Sequence, residues 1–228
     1  MSITPLRIPA RVLRAPLFAL VLASVLCGAL FVVRAAYSGH VAFRFFLWNL
    51  FLAWVPLCFA LLVHVRRERA ARGWGIDAVC GLLWFLFFPN APYIVTDLIH
   101  LYPRPGVPYW YDIIGVMAFA LTGLFIGYLS LYLMQEVIRS WLGRWTGWVF
   151  ALAMLALSSF GIYLGRFIRW NSWDALLEPF DTLAGAARIA NPISNPQAAA
   201  FSATFFAFAL VCYLIVYSFT HLHAPREV

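Results

Sequence analysis

Six apolar runs, each about as long as a helix needs to be to cross a bilayer, recur along the chain at residues 17–37, 41–63, 76–96, 111–134, 147–168 and 201–219. At a 1.5 Å rise per residue, about 20 residues cover the ~30 Å hydrocarbon layer. Inside that layer no water is present to pair with the backbone, so each segment must satisfy its own N–H and C=O groups. The expected fold is therefore all-α, a polytopic membrane bundle of six transmembrane helices. A β-barrel would need short segments of alternating polarity, which the chain lacks. Composition agrees: 64% of the 228 residues are hydrophobic and 11% charged, against roughly 45–50% and about 25% in soluble domains. The whole reads as one integral membrane domain over residues 1–228, with no soluble domain and no internal repeat.

Arg7, Arg11 and Arg14 precede the first run. That pattern suggests a signal peptide, but the run is longer than the usual ~7–15 residue core and lacks a small-x-small cleavage site, so an uncleaved first span is expected. All 16 basic residues are arginine. Ten of them (Arg7, Arg11, Arg14, Arg66, Arg67, Arg69, Arg72, Arg139, Arg144, Arg226) fall on the side of the termini and six (Arg34, Arg44, Arg104, Arg166, Arg169, Arg188) on the other. The excess of arginine predicts cytoplasmic N- and C-termini in the inner membrane. The same rule, with anionic lipid headgroups, accounts for the sequence pI of about 9.6 without any nucleic-acid partner. Cys27, Cys58, Cys80 and Cys212 lie inside apolar runs with neither zinc-site spacing nor disulfide density.

The acidic residues are distributed differently. Asp97, Asp112, Asp174, Glu178 and Asp181 fall on the expected outer side, among His40, His100, Arg166 and Arg169. Basic charge alone is explained by orientation, whereas mixed charge at span ends calls for partners, because ionisable groups at membrane depth are costly unless paired or wetted. The inner side, by the same sorting, reads as simply basic.

The third span holds the main irregularity, "FFPNAPYIVTDLIHL" over residues 87–101. Each interior proline removes a donor and blocks a carbonyl one turn back, at about 3 kcal/mol or more in an ordinary helix. Pro89 and Pro92 therefore predict a broken third helix, with Ala91 pushed extended ahead of Pro92. Asn90, between them, can pair the freed backbone groups. Beyond the break Tyr93, Asp97, His100 and Arg104 share a face if the helix persists. Asp97 and His100 could then serve one ion or one substrate group, although two ligands are too few for a metal site.

Counting depth along the spans places Asn49, Asn90, Ser158 and Ser159 in one layer and predicts that Asn49 and Asn90 approach each other. In "GIYLGRFIRWNSWD", residues 161–174, Gly161 and Gly165 form a small-residue face, as do Gly123 and Gly127 in span four. Arg166 and Arg169 can hold a phosphate or carboxylate by forked hydrogen bonds, or else neutralise Asp97 and Asp112. Asn171 and Asp174 stand beside them as further ligand contacts or as the cap of an interfacial helix. That short helix is expected over residues 175–190, too polar and too short to cross.

The stretches "WNLFLAWVP", "FFPNAPYIVTDLIHL", "WYD" and "GRFIRWNSWD" together resemble the bacterial membrane family catalogued as domain of unknown function 1361. The resemblance runs from about span two through the loop after span five. It implies an integral membrane protein and carries over no activity, ligand or catalytic residue.

Three functional readings follow. The first is a polar pocket at the extracytoplasmic face for an anionic or lipid-derived ligand, held by Arg166, Arg169, Asn90, Asn49, Asn171 and Asp174. Catalysis by Asp97, His100 or Asp112 is left open there, as is the identity of any cofactor. The second is a small-solute transporter using the broken span. The third is a structural or partner-binding protein whose polar cluster only specifies the fold. Besides the lipid bilayer, a second copy of the chain is a candidate partner.

Overall fold

The computed structural model describes residues 10–69, 74–104, 106–170, 177–192 and 195–220. Six helices are long and apolar enough to cross a membrane. The first two are α1 (Arg14–Ser38) and α2 (Arg44–Glu68); the others cover Trp74–His100, Tyr109–Leu142, Arg144–Ile168 and Pro196–Thr220. The helices outrun the apolar windows by up to eight residues at an end, as the fourth span does past residue 134. Hydropathy marks only the hydrocarbon depth, whereas a helix can continue into the headgroup layer. The chain folds into two compact units, Met1–Trp141 and Leu142–Val228.

The third span divides into α3 (Trp74–Phe87), a single turn α4 (Asn90–Tyr93) and a 3₁₀ segment over Ile94–His100. The fourth span, α5 (Tyr109–Leu142), is the most buried, with 56% of its apolar window enclosed against 11% for α1. Hydrogen bonding accounts for the break in the third. With the proline donors missing, the Ala91 N–H moves to Phe88 O at 3.2 Å, and the Asn90 side chain donates to Phe87 O at 3.0 Å. Asn90 thus takes up a carbonyl left over by the break, as expected. Ala91, by contrast, is helical and fully buried rather than extended. The tertiary seat overrides the local preference of a residue before proline. That seat is the small-residue face of α5. A Cβ on Gly123 would lie 2.7 Å from Ile94 Cδ1 and 2.9 Å from Ala91 O, and one on Gly127 would lie 3.0 Å from Ala91 Cβ. Side chains at either position would push the α4 turn away.

A row of polar contacts ties α1 to its neighbours. Trp54 Nε1 donates to Ser24 Oγ (3.1 Å), Cys27 Sγ meets Thr122 Oγ1 (3.5 Å), and Tyr111 OH donates to Leu30 O (2.9 Å). Arg34 then grips Asp112. Residues 24, 27, 30 and 34 follow helical spacing, so this seam occupies one face of an otherwise apolar helix.

At the α2–α3 end of this unit the expectation of simple basic charge does not hold. Asp77, buried in α3, receives Arg66 Nε at 2.9 Å and Arg67 Nη2 at 2.7 Å. The Arg67 guanidinium lies 3.9 Å from the Trp141 ring and 4.9 Å from that of Trp74. His64 and Glu136 are also buried in α2 and α5. A charge tally by loop cannot see that one carboxylate gathers two arginines.

The second unit contains α6 (Arg144–Tyr163), which widens into a π turn over Leu164–Ile168, the short helix α7 (Pro179–Ile189) and α8 (Pro196–Thr220). Arg169, at φ 66°, closes the π turn, with the Trp170 N–H bonded to Leu164 O at 3.2 Å. The expected short helix between the fifth and sixth spans is α7, opened by Pro179, whose missing N–H costs nothing at a first helical position. Gly185 lets α7 lie directly on Trp170, since a Cβ there would come 2.5 Å from the Cη2 atom. Leu177, Phe180 and Leu183 stand exposed at three-residue spacing along α7 and the residues leading into it.

Candidate functional site

The polar side chains singled out in the first four spans gather at the end of the first unit that carries the α1–α2 turn. Asp112, in the first turn of α5, is buried, and Arg34 in the last turns of α1 holds it with both prongs: Nε to Oδ1 at 2.7 Å and Nη2 to Oδ2 at 3.1 Å. A parallel fork of this kind fixes geometry as well as charge. The sequence offers the arginines of span five as one set of partners for Asp112; Arg34 takes that place. The signal was legible. An arginine near the end of an apolar span needs a carboxylate at its own depth, and Asp112 is the acidic residue that opens α5.

Asp97 is 1% exposed and accepts Asn49 Nδ2 at 2.7 Å. One turn earlier on α2, Phe45 meets the edge of His100 at a centroid distance of 5.2 Å. In a 3₁₀ segment residues three apart eclipse, so Asp97 and His100 do share a face, and that face is turned to α2. The predicted meeting of Asn49 with Asn90 is replaced by one with Asp97. Two errors of depth explain it. Helix α2 starts at Arg44 rather than residue 41, leaving Asn49 shallower than counted. The 3₁₀ segment rises about 2.0 Å per residue, not 1.5, so Asn90 lies deeper below Asp97.

Phe43 and Arg104 complete the cluster. Phe43 precedes α2 at φ 73°, left-handed for a bulky residue, a conformation costing roughly 1–2 kcal/mol. Its buried ring receives two guanidinium groups, Arg34 at 4.6 Å and Arg104 at 4.2 Å from the centroid. Such contacts contribute about 0.5–2 kcal/mol each, more when desolvated. Arg104 also donates from Nη2 to Tyr102 OH at 3.0 Å, while its Nε is buried with no hydrogen-bond partner among the described residues. No carboxylate pairs with Arg104 among them either. Sequence reading puts Arg104 on the Asp97–His100 face but gives no role to Phe43, because a left-handed phenylalanine has no sequence signature.

Beside Phe43 runs a narrow apolar crevice between α1, α2 and α5, walled by Phe46, Val116 and Phe119 and bounded by the Arg34–Asp112 pair. In the second unit Arg166 is half-buried in the π turn and Arg169 is exposed. Ser159 Oγ donates to Leu155 O at 2.7 Å, and Ser158 Oγ is buried without a hydrogen-bond partner among the described residues. Asn171 and Asp174 lie outside the described residues. Among those described, no three His, Cys, Asp or Glu side chains come together as a metal site would need, so Asp97 and His100 gain no third ligand.

The family described as "Protein of unknown function (DUF1361)" matches residues 48–215. The chain belongs to that family. The match takes in α2 from Trp48, the broken third span, α5, the fifth span and most of α8, so the resemblance read from the proline–asparagine stretch is the right one. No curated protein and no solved structure matches this DUF1361 chain. In the first unit the two carboxylates of the cluster are occupied in holding helices together, Asp112 with α1 and Asp97 with α2. Beside them Arg104 keeps a buried Nε with no hydrogen-bond partner among the described residues.

Proposed function

We propose that this DUF1361 protein binds an anionic, lipid-derived ligand at the extracytoplasmic end of its first four spans, and that it binds rather than transforms it. One observation carries the reading: Arg104 leans on a buried aromatic ring beside the Arg34–Asp112 pair, without a carboxylate of its own among the described residues and with an unmatched buried Nε. A buried donor left unmade costs about 1–3 kcal/mol, which an incoming phosphate or carboxylate oxygen would recover. A second arginine is unnecessary for this, because the edge of one guanidinium offers two donors to an oxyanion. Arg166 and Arg169 are a second proposed anion contact, belonging to the other unit and tested separately. Asp97 holds α2 through Asn49 and Asp112 holds α1 through Arg34, and this structural engagement of both carboxylates favours binding over acid–base work.

The test is lipid mass spectrometry on protein purified in mild detergent. Wild type should carry an anionic phospholipid enriched over its share of the membrane. Arg104→Ala should lose most of that enrichment while Arg144→Ala, an exposed arginine opening α6, keeps it. A wild-type lipid profile that merely mirrors the bulk membrane would overturn the proposal.

A further inference from the structure

We infer that α7 rests in the headgroup layer of the membrane with Leu177, Phe180 and Leu183 turned into lipid, while its opposite face is held by its own unit. The inference is independent of the Arg104 site. It starts from an inversion around the helix. At about 100° per residue, Thr182, Gly185, Ala186 and Ile189 share one arc of α7, and they are buried or half-buried. Phe180, Leu183, Ala184 and Ala187 share the opposite arc, and all four are exposed. The face against the protein is thus made mostly of small residues, with Gly185 meeting Trp170, and the large apolar side chains point away from it. Phe180 is 85% exposed and Leu183 67%, with Leu177 just ahead of them at 78%. A surface helix in water would place them the other way round.

What covers the outward arc follows from the helix's place in the chain and from its charges. The fifth span ends at Ile168 and the sixth starts at Pro196, so α7 joins the same end of two membrane-crossing helices. Gly185 seats it on Trp170, two residues past the fifth span, and tryptophan at a span end marks the headgroup level. Phe167 and Ile168, in the last turn of that span, are exposed apolar side chains as well. Asp181 and Arg188 stand exposed along one flank of α7, between the two arcs. The flank across from them carries Ala190, also exposed, and no charge among the described residues. A docked protein would be bordered by polar residues on both sides. One charged flank and one apolar flank fit a helix lying flat, with Asp181 and Arg188 toward water and the outward arc in the bilayer.

The experiment uses the full-length protein in nanodiscs of phosphatidylcholine and phosphatidylglycerol. Phe180→Cys, Leu183→Cys, Asp181→Cys and Arg188→Cys are each reacted with a charged, water-soluble maleimide. The native cysteines lie within the spans, so wild type supplies the blank. Phe180→Cys and Leu183→Cys should react about tenfold more slowly than the other two, because the thiolate is the nucleophile and apolar surroundings that raise a thiol pKa by one unit remove nine-tenths of it. Equal rates at all four positions overturn the inference. So do disulfide-linked dimers of Phe180→Cys on mild oxidation, which would mean that a second copy, not lipid, covers the arc. A measurement on wild type needs no variant to fold. Phospholipid carrying a diazirine near the headgroup end of one acyl chain should, on irradiation, label Phe180 and Leu183 ahead of Asp181 and Arg188, as mapped by peptide mass spectrometry. Adducts spread evenly over the four, or absent from α7, overturn the inference.

Discussion

Arg34 and Asp112 form a buried contact that is costly to break. Both side chains are almost wholly enclosed, 6% and 1% exposed, so removing one leaves the other charged and unpaired in a low-dielectric setting. Loss of one member of a buried pair typically costs about 3–5 kcal/mol. Arg34→Ala should therefore lower the unfolding midpoint in detergent sharply. Combining it with Asp112→Leu should recover much of the loss, since an apolar pair of similar size avoids the stranded charge. A double variant no better than Arg34→Ala would mean that the pair does not act as a unit. Asn49→Leu removes a single charged hydrogen bond to Asp97, about 1.5–3 kcal/mol. At this scale the sequence showed which residues were out of place in a membrane, but not their partners. Asp97 and Asp112 were recognisable from their cost. Arg34 passed for an orientation charge because a tally by side says nothing about which face of α1 it occupies.

The broken third span works as an element because α5 is cut to receive it. Gly123→Ala would drive a Cβ to 2.9 Å from the Ala91 carbonyl, a backbone atom that cannot swing aside, whereas Gly127→Ala reaches 3.0 Å from the Ala91 methyl group. Both should destabilise by about 1–3 kcal/mol, as overpacked cores do, with Gly123→Ala the worse of the two. Gly115→Ala on the same helix should be neutral or stabilising, since it relieves the helix cost without a clash. Thermal unfolding of the three variants side by side checks the order; equal effects would remove the distinction between packed and open glycines on this helix. The break itself was legible from Pro89, Asn90 and Pro92, and so was the small-residue face of α5. What the sequence could not show is that the two belong together. Local preference predicts an extended Ala91, and only the glycine groove explains why one helical turn survives between the prolines. The 3₁₀ pitch that follows, unreadable from periodicity, also set the register in which Asn49 meets Asp97.

For the whole molecule, orientation decides which leaflet the site can sample. With ten arginines on the side of the termini and six on the other, the positive-inside rule predicts that Arg104, Phe43 and Arg34 stand at the extracytoplasmic face and the Asp77 cluster at the cytoplasmic one. The gathering of Arg66 and Arg67 on Asp77 tempers the charge argument only slightly, because acidic residues count for little in that rule. Alkaline phosphatase, active only outside the cytoplasm, supplies the test when inserted at Gly106 or between Arg69 and Trp74. Activity is expected at Gly106 and none at the other insertion. Fluorescent-protein fusions at the same points should give the opposite pattern. Reversed reporters would place the Arg104 cluster at the inner leaflet. The ligand would then be one supplied from the cytoplasmic side.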